Sequence, residues 1–255
     1  MINAASISLI AMLSWMFPMT ISAQDIPSLL HEGANLERSF HDQEALQKYI
    51  EALKRDPDHL EALCKSSELY NVLGKRQVSK EKQKEYYTAG REYAARAIKV
   101  NPNYAAANFV MAISLGRIAL ISSGEDKIKA VKDIKNYADI CIRLDPSGYK
   151  GYHVLGKWHY EVSDLSSVER WLVKLTYGAL PKSSLEESIL NYEKSMHINP
   201  RFLLNYLELA KAYNRKEDKN KAVSLLERMM KLPPVSSDDI KIKVMGKKML
   251  EELKN

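Results

Sequence analysis

Residues 200–234 read PRFLLNYLELAKAYNRKEDKNKAVSLLERMMKLPP, bounded by Pro200 and Pro234. Ala222, Leu225, Leu226 and Met229 fall at i, i+3, i+4 and i+7, the spacing of one helix face. Leu209, Ala210 and Tyr213 mark an earlier helix. The interval between the two prolines matches the period of a tetratricopeptide repeat, a pair of antiparallel helices. In that repeat's numbering the earlier three residues take positions 7, 8 and 11, and Ala222, Leu226 and Met229 take 20, 24 and 27. The small residues belong where the helices cross closely.

The same punctuation recurs upstream. Asp56-Pro57, Asn101-Pro102, Asp145-Pro146 and Asn199-Pro200 divide the chain, at intervals longer than the one from Pro200 to Pro234. Counting back from each proline puts Gly33, Ala45, Tyr49 and Ala52 of the first unit on the crossing positions. Ser67, Gly90, Ala94 and Ala97 follow in the second, Ala112, Ala138 and Cys141 in the third, and Gly156, Ser188, Tyr192 and Ser195 in the fourth. The expected fold is all-α: a right-handed α-solenoid of about five tetratricopeptide-like hairpins over residues 24–255. Each proline is expected where the next helix starts, since its missing N–H costs nothing there.

Three units exceed the standard repeat length, and the excess falls between their two helices. Lys75–Glu85 reads as a solvated helix extension, and Ser122-Ser123-Gly124-Glu125-Asp126 as a loop or helix break. In the fourth unit Ser166-Ser167-Val168-Glu169 forms a capping box. Val168, Trp171, Leu172 and Leu175 follow at helical spacing, and Gly178 with Pro181 closes the segment. This is an inserted amphipathic helix, read as packing across the solenoid, with a lid or a membrane contact as alternatives. Ser236-Ser237-Asp238-Asp239 starts a lysine-rich capping helix over 238–253, whose polar outer face suits a solenoid end.

Composition agrees with a folded helical chain: of 255 residues 45% are hydrophobic and 27% charged, with ten glycines and nine prolines. The net charge of +6 mildly favours anionic partners. Residues 1–24 carry no ionisable side chain, and Ile7–Met19 is largely apolar. With Ile21-Ser22-Ala23 this reads as a signal peptide over 1–23, although no Lys or Arg precedes the apolar run. An uncleaved anchor through residues 2–23 is the alternative. Export is therefore expected, to a periplasm or outside the cell. Cys64 and Cys141 read as two buried core residues rather than a bridge.

The stretches Leu155-Gly156-Lys157-Trp158-His159-Tyr160-Glu161-Val162, Tyr177-Gly178-Ala179-Leu180-Pro181-Lys182-Ser183-Ser184 and Leu232-Pro233-Pro234-Val235 resemble the regulator of microtubule dynamics family. The resemblance runs through most of residues 90–250 and includes the long fourth-unit insertion. It implies a noncatalytic α-solenoid acting through binding. Animal members are linked to microtubules, mitochondria and membrane contacts, and one member's repeat domain to phospholipid binding. An exported protein would not meet microtubules, so that part is not carried over.

The concave face of such a solenoid is lined by first-helix positions 2, 5, 9 and 12. These supply Phe109 and Ile113 from the third unit, Lys150, His153, Lys157 and Tyr160 from the fourth, and Leu204, Leu207 and Lys211 from the fifth. An apolar wall beside three lysines suits a phospholipid or other anionic amphiphile. An acidic, partly hydrophobic peptide fits the same residues. Val154, next to the basic slot, argues against a carboxylate clamp of the chaperone-binding kind. Phe109, Ile113, Leu204 and Leu207 exposed together would favour lipid; the same residues packed away would favour a protein. The double change Lys157→Glu with Lys211→Glu is expected to abolish anionic-ligand binding at unchanged helicity.

Catalysis finds little support. His153 and His159 lie on different sides of a helix, and no metalloprotease, phosphate-loop or nucleophile-elbow motif occurs. No metal or other cofactor is implied. Lysines are spread over every helix rather than gathered in a stripe, so no nucleic-acid partner is expected. The function read from sequence is an exported, noncatalytic scaffold for a protein or peptide partner in the cell envelope, with amphiphile binding as the alternative.

Overall fold

The structure is a computed structural model and describes residues 25–255; the segment read as signal or anchor lies outside them. Among the described residues there are twelve helices and no strand. They are α1 (Ile26–Arg38), α2 (Asp42–Arg55), α3 (Leu60–Lys75), α4 (Lys80–Val100), α5 (Ala105–Ala119) and α6 (Gly124–Leu144). Then come α7 (Tyr149–Ser163), α8 (Ser167–Tyr177), α9 (Leu185–Ile198), α10 (Leu203–Arg215), α11 (Lys219–Lys231) and α12 (Asp239–Lys254). The pairs α1/α2, α3/α4, α5/α6, α7/α9 and α10/α11 are five antiparallel hairpins in chain order. The helix α8 is inserted in the fourth hairpin and α12 packs on the last. This is the expected all-α solenoid.

The prolines do a different job from the one expected. Pro57, Pro102, Pro146 and Pro200 stand inside short turns, and the next helices begin further on, at Leu60, Ala105, Tyr149 and Leu203. In each turn the Asp or Asn before the proline receives two backbone N–H groups. His59, Tyr104, Gly148 and Phe202 donate to the carbonyls of Asp56, Asn101, Asp145 and Asn199 at 3.1–3.3 Å. Asp58, Asn103, Ser147 and Arg201 donate to their side-chain oxygens at 2.9–3.2 Å. The proline pre-sets φ for such a turn, and the short acceptor side chain satisfies the N–H that the turn frees.

The crossings follow from large-into-small packing. In the first hairpin a Cβ on Gly33 would lie 2.7–3.1 Å from the ring of Tyr49, and in the fourth a Cβ on Gly156 would lie 2.8–3.0 Å from the ring of Tyr192. Both tyrosines are fully buried. Two hairpins add a hydrogen bond at the crossing: Ser67 Oγ donates to the Gly90 carbonyl at 2.7 Å and Ser188 Oγ to the Gly156 carbonyl at 2.8 Å.

The extra residues take several forms. The extended α4 begins at the cap Ser79, and the break at Ser122–Ser123 precedes the equally long α6. In α8 both bonds of the Ser166–Glu169 capping box are formed, and Gly178 closes the helix at φ +78°. The apolar stripe of α8 does not pack as expected. Val168, Trp171, Leu172 and Leu175 face solvent, Trp171 at 58% exposure. The helix is tethered instead through polar groups on its other side. Lys132 of α6 donates to the Tyr177 carbonyl at 2.7 Å, and Arg170 donates to Ser183 at 2.8 Å and to the Val162 carbonyl. The outer face of α12 is less polar than expected, since Ile240, Val244 and Met245 are exposed among its lysines.

The two ends of the solenoid meet. Lys75 Nζ, at the end of α3, lies 2.9 Å from Asp238 Oδ2, just before α12. Arg76 reaches Asp238 at 3.2 Å and Asp42, at the start of α2, at 2.6 Å, and it also donates to Ser237.

Candidate binding groove on the concave face

The inner helices α1, α3, α5, α7 and α10 stand side by side, and α7 is their hub. Lys150, His153, Lys157 and Tyr160 fall at i, i+3, i+7 and i+10, along one face of it. Lys150 Nζ crosses to α3 and lies 2.7 and 3.0 Å from the two carboxylate oxygens of Glu68. On the way it passes 4.7 Å from the centre of the Phe109 ring of α5, at cation–π distance. His153 Nδ1 is 2.9 Å from Asn205 Oδ1 of α10, and Asn205 in turn donates to the Tyr192 carbonyl at 2.8 Å. Lys157 Nζ lies 2.7 Å from Glu208 of α10 and 2.8 Å from Glu161. Lys211 takes the other Glu208 oxygen at 2.8 Å. Tyr160 lies under the Arg215 guanidinium, 4.2 Å from the ring centre, and its carbonyl accepts from Arg215 at 2.8 Å.

The groove residues are thus brought together, but their charges are not free. Burial alone would raise the carboxyls of Glu68 and Glu208. Lys150 and Lys65 outweigh it at Glu68, and Lys157 and Lys211 at Glu208, so both are held below the usual carboxylate range. Burial likewise pushes the His153 imidazole down, favouring its neutral form beside Asn205. The pairing changes the expected outcome of the double lysine-to-glutamate variant. Glu208 is only 6% exposed, so two more carboxylates around it would destabilise α7 against α10.

The apolar residues separate too. Leu207 is 1% exposed and belongs to the core around α10 and α11, with Leu204 packed on that core. Phe109 and Ile113 are half-buried against the α5–α7 core. Phe109 and Lys150 line a 340 Å³ cavity at the starts of α3, α5 and α7, together with Glu68, Tyr104 and both thiols. Cys64 and Cys141 are free and buried, as the sequence suggested, and burial pushes their thiols up to about 12 and about 11.

Sequence reasoning overlooked the acidic half of this wall. Glu37 of α1 accepts from Tyr49 OH at 2.6 Å and pairs with Lys65 at 3.0 Å. Glu37 and Glu68 occupy positions 12 and 9 of the first two units, so the groove rule extended to those units would have found them. Glu208 and Lys65 both stand at position 6, outside the set considered.

A solenoid of tetratricopeptide-like hairpins with a charged, partly aromatic inner wall is a helical-repeat protein of the tetratricopeptide type. Solved structures agree on the fold. A thermophilic tetratricopeptide protein of Thermus thermophilus superposes with a TM-score of 0.67 at 13% identity, over 89% of this chain and 99% of that one. Pseudomonas aeruginosa PilF superposes at 0.54 and 11% identity, over 89% and 85%. The family model for regulator of microtubule dynamics protein 1-3 matches residues 29–254, and the chain belongs to that family. Its relatives include regulator of microtubule dynamics protein 1 of Caenorhabditis elegans, 25% identical over 69% of this chain and 77% of that protein. The human protein 2 is 25% identical over 77% of this chain. The chain spans 48% of the human protein 2.

Family membership corrects the expected location. The relatives are named as regulators of microtubule dynamics, and microtubules are assembled inside cells, not in a periplasm or outside the cell. Export to a periplasm or secretion, and with it a partner in the cell envelope, is therefore withdrawn. The expectation rested on the apolar run before Ala23, which lies outside the described residues. Among the described residues no helix is long and apolar enough to cross a membrane.

Proposed function

We propose that this chain is a noncatalytic interaction scaffold that holds a protein or peptide partner on the concave wall formed by α5, α7 and α10. The observation that carries the reading is the state of the wall's apolar residues. Leu207 is in the core, whereas Phe109, Ile113 and Leu204 are only half-buried, so the apolar lining needed by an acyl chain is interrupted at α10. What remains half-exposed is mixed: Lys157, Tyr160, Lys211 and Arg215 beside the Lys150–Phe109 pair, with Ile113 and Leu204 as separate apolar points. Such a surface suits an extended or helical protein segment with both charges and a few apolar anchors. By the relatives' name, tubulin is the first partner to try.

Gly116 of α5 offers a clean obstruction, because a Cβ there would meet nothing within 4 Å. Gly116→Trp fills the groove from inside, and Glu92→Trp places the same bulk on an exposed position of α4. Co-sedimentation with polymerised tubulin should carry down the parent and Glu92→Trp but not Gly116→Trp. No sedimentation of the parent refutes tubulin as partner, and equal sedimentation of all three refutes the concave face. A lipid-range mass retained in native mass spectrometry would restore the amphiphile reading.

A further inference from the structure

We propose that Lys75 and Arg76, at the end of α3, form a second docking point, for an acidic extended peptide, and that the chain's own Ser237-Asp238 turn fills it in cis. The occupant is visible. Pro233 and Pro234 hold the segment after α11 extended, and Asp239 fixes its turn by accepting the N–H groups of Val235 and Ser236 at 2.7 and 2.8 Å. Asp238 is then presented to Lys75 at 2.9 Å and Arg76 at 3.2 Å, with Ser237 bonded to Arg76 and Asp42. Asp42 accepts from the same Arg76 nitrogen at 2.6 Å.

Two features make this an exchangeable contact. Without Asp238, Arg76 keeps Asp42 while Lys75 loses the carboxylate at 2.9 Å, so the point calls for one further carboxylate. Lys75 and Arg76 are about one-third exposed, and ion pairs of that exposure contribute little each. A carboxylate from another chain would restore the same bonds. A 390 Å³ cavity adjoins the point, lined by Glu37, Asp42, Lys65, Glu68, Val72 and the Val235–Asp238 segment itself, so a displacing peptide has room to continue along α3 with uncharged residues, its acidic group staying at Lys75 and Arg76. The tethered turn competes at the millimolar effective concentration typical of a short linker, and it would keep weak acidic segments out until displaced. The inference shares the premise that the solenoid takes peptides, but its residues are separate from the α5–α7–α10 wall.

The test uses a dye-labelled heptapeptide, Pro-Pro-Val-Ser-Ser-Asp-Asp, copied from residues 233–239, titrated by fluorescence anisotropy into the full chain. Asp238→Asn and Asp238→Arg empty the point, and faster amide hydrogen exchange at residues 235–238 reports release of the turn. In a released variant the peptide should bind at least tenfold more tightly than to the parent. Adding Lys75→Gln and Arg76→Gln to Asp238→Asn should remove the gain, as should a peptide with both Asp replaced by Asn. Release without gain, a gain that survives loss of the basic pair, or no release in either variant overturns the proposal. A chain that fails here yet loses tubulin binding with Gly116→Trp leaves the concave-face reading intact.

Discussion

Gly156 and Gly116 both lie inside inner helices, α7 and α5, and the same substitution should stabilise the chain at Gly116 but not at Gly156. In a helix interior Gly→Ala gains about 1 kcal/mol, because alanine loses less backbone freedom. At Gly116 nothing lies within 4 Å of the new Cβ, so the whole gain should appear. At Gly156 the Cβ would meet three ring carbons of Tyr192 at 2.8, 3.0 and 3.0 Å. Comfortable carbon contacts lie at about 3.5–4.0 Å. The ring cannot retreat freely, being fully buried with the His153 ring 5.5 Å from it. Forced overpacking of this kind costs about 1–3 kcal/mol. Net, Gly156→Ala should range from neutral to about 2 kcal/mol destabilising, while Gly116→Ala stabilises by up to about 1 kcal/mol. For a chain of this size about 1 kcal/mol moves the midpoint by roughly 2–4 °C. Thermal and urea unfolding followed by circular dichroism in the far ultraviolet reads the difference. Tyr192→Leu supplies the second arm of a double-mutant cycle, and in that background the penalty at Gly156 should shrink. Equal stabilisation at both glycines, or a penalty indifferent to residue 192, would refute large-into-small packing as the basis of the crossing.

Two further outcomes follow from the groove and the core. The Glu208 carboxyl sits below its ordinary value of 4.5 because Lys157 and Lys211 outweigh burial. Its pairing therefore contributes stability that is complete above about pH 4.5 and is lost as pH falls through the lower folded value. Glu208→Gln should be less stable than the parent at pH 7 and should lose less on acidification; identical slopes in pH-dependent urea titrations would contradict the assignment. Cys64 and Cys141, with thiols raised to about 12 and about 11 by burial, should react with Ellman's reagent at pH 8 only as fast as the fold opens. Rapid modification of either in native buffer would show that the inner cavity exposes it.

Much of the molecule was written locally. The helical spacing of Ala222, Leu225, Leu226 and Met229, the Ser166–Glu169 capping box and the small residues at each crossing are properties of short windows. Such windows fix helix type, helix ends and hairpin pairing. The Asx-Pro pairs were legible as boundaries, but not as turns, because the offset to the next helix depends on which N–H the Asp or Asn captures. The inner wall was half legible. Positions 2, 5, 9 and 12 located Phe109, Lys150, His153, Lys157 and Tyr160, whereas Leu207 went to the core because α10 is covered by α11 and α12.

By itself, the sequence determined that residues 25–255 are five helical hairpins with an inserted helix and a terminal cap, since each hairpin is closed by contacts within its own stretch of chain. Only the tertiary structure decided which charges meet. Glu68 with Lys150 and Asp238 with Lys75 are 82 and 163 residues apart. Those distances are closed by superhelical curvature, which accumulates from small rotations between hairpins and leaves no mark in any single window.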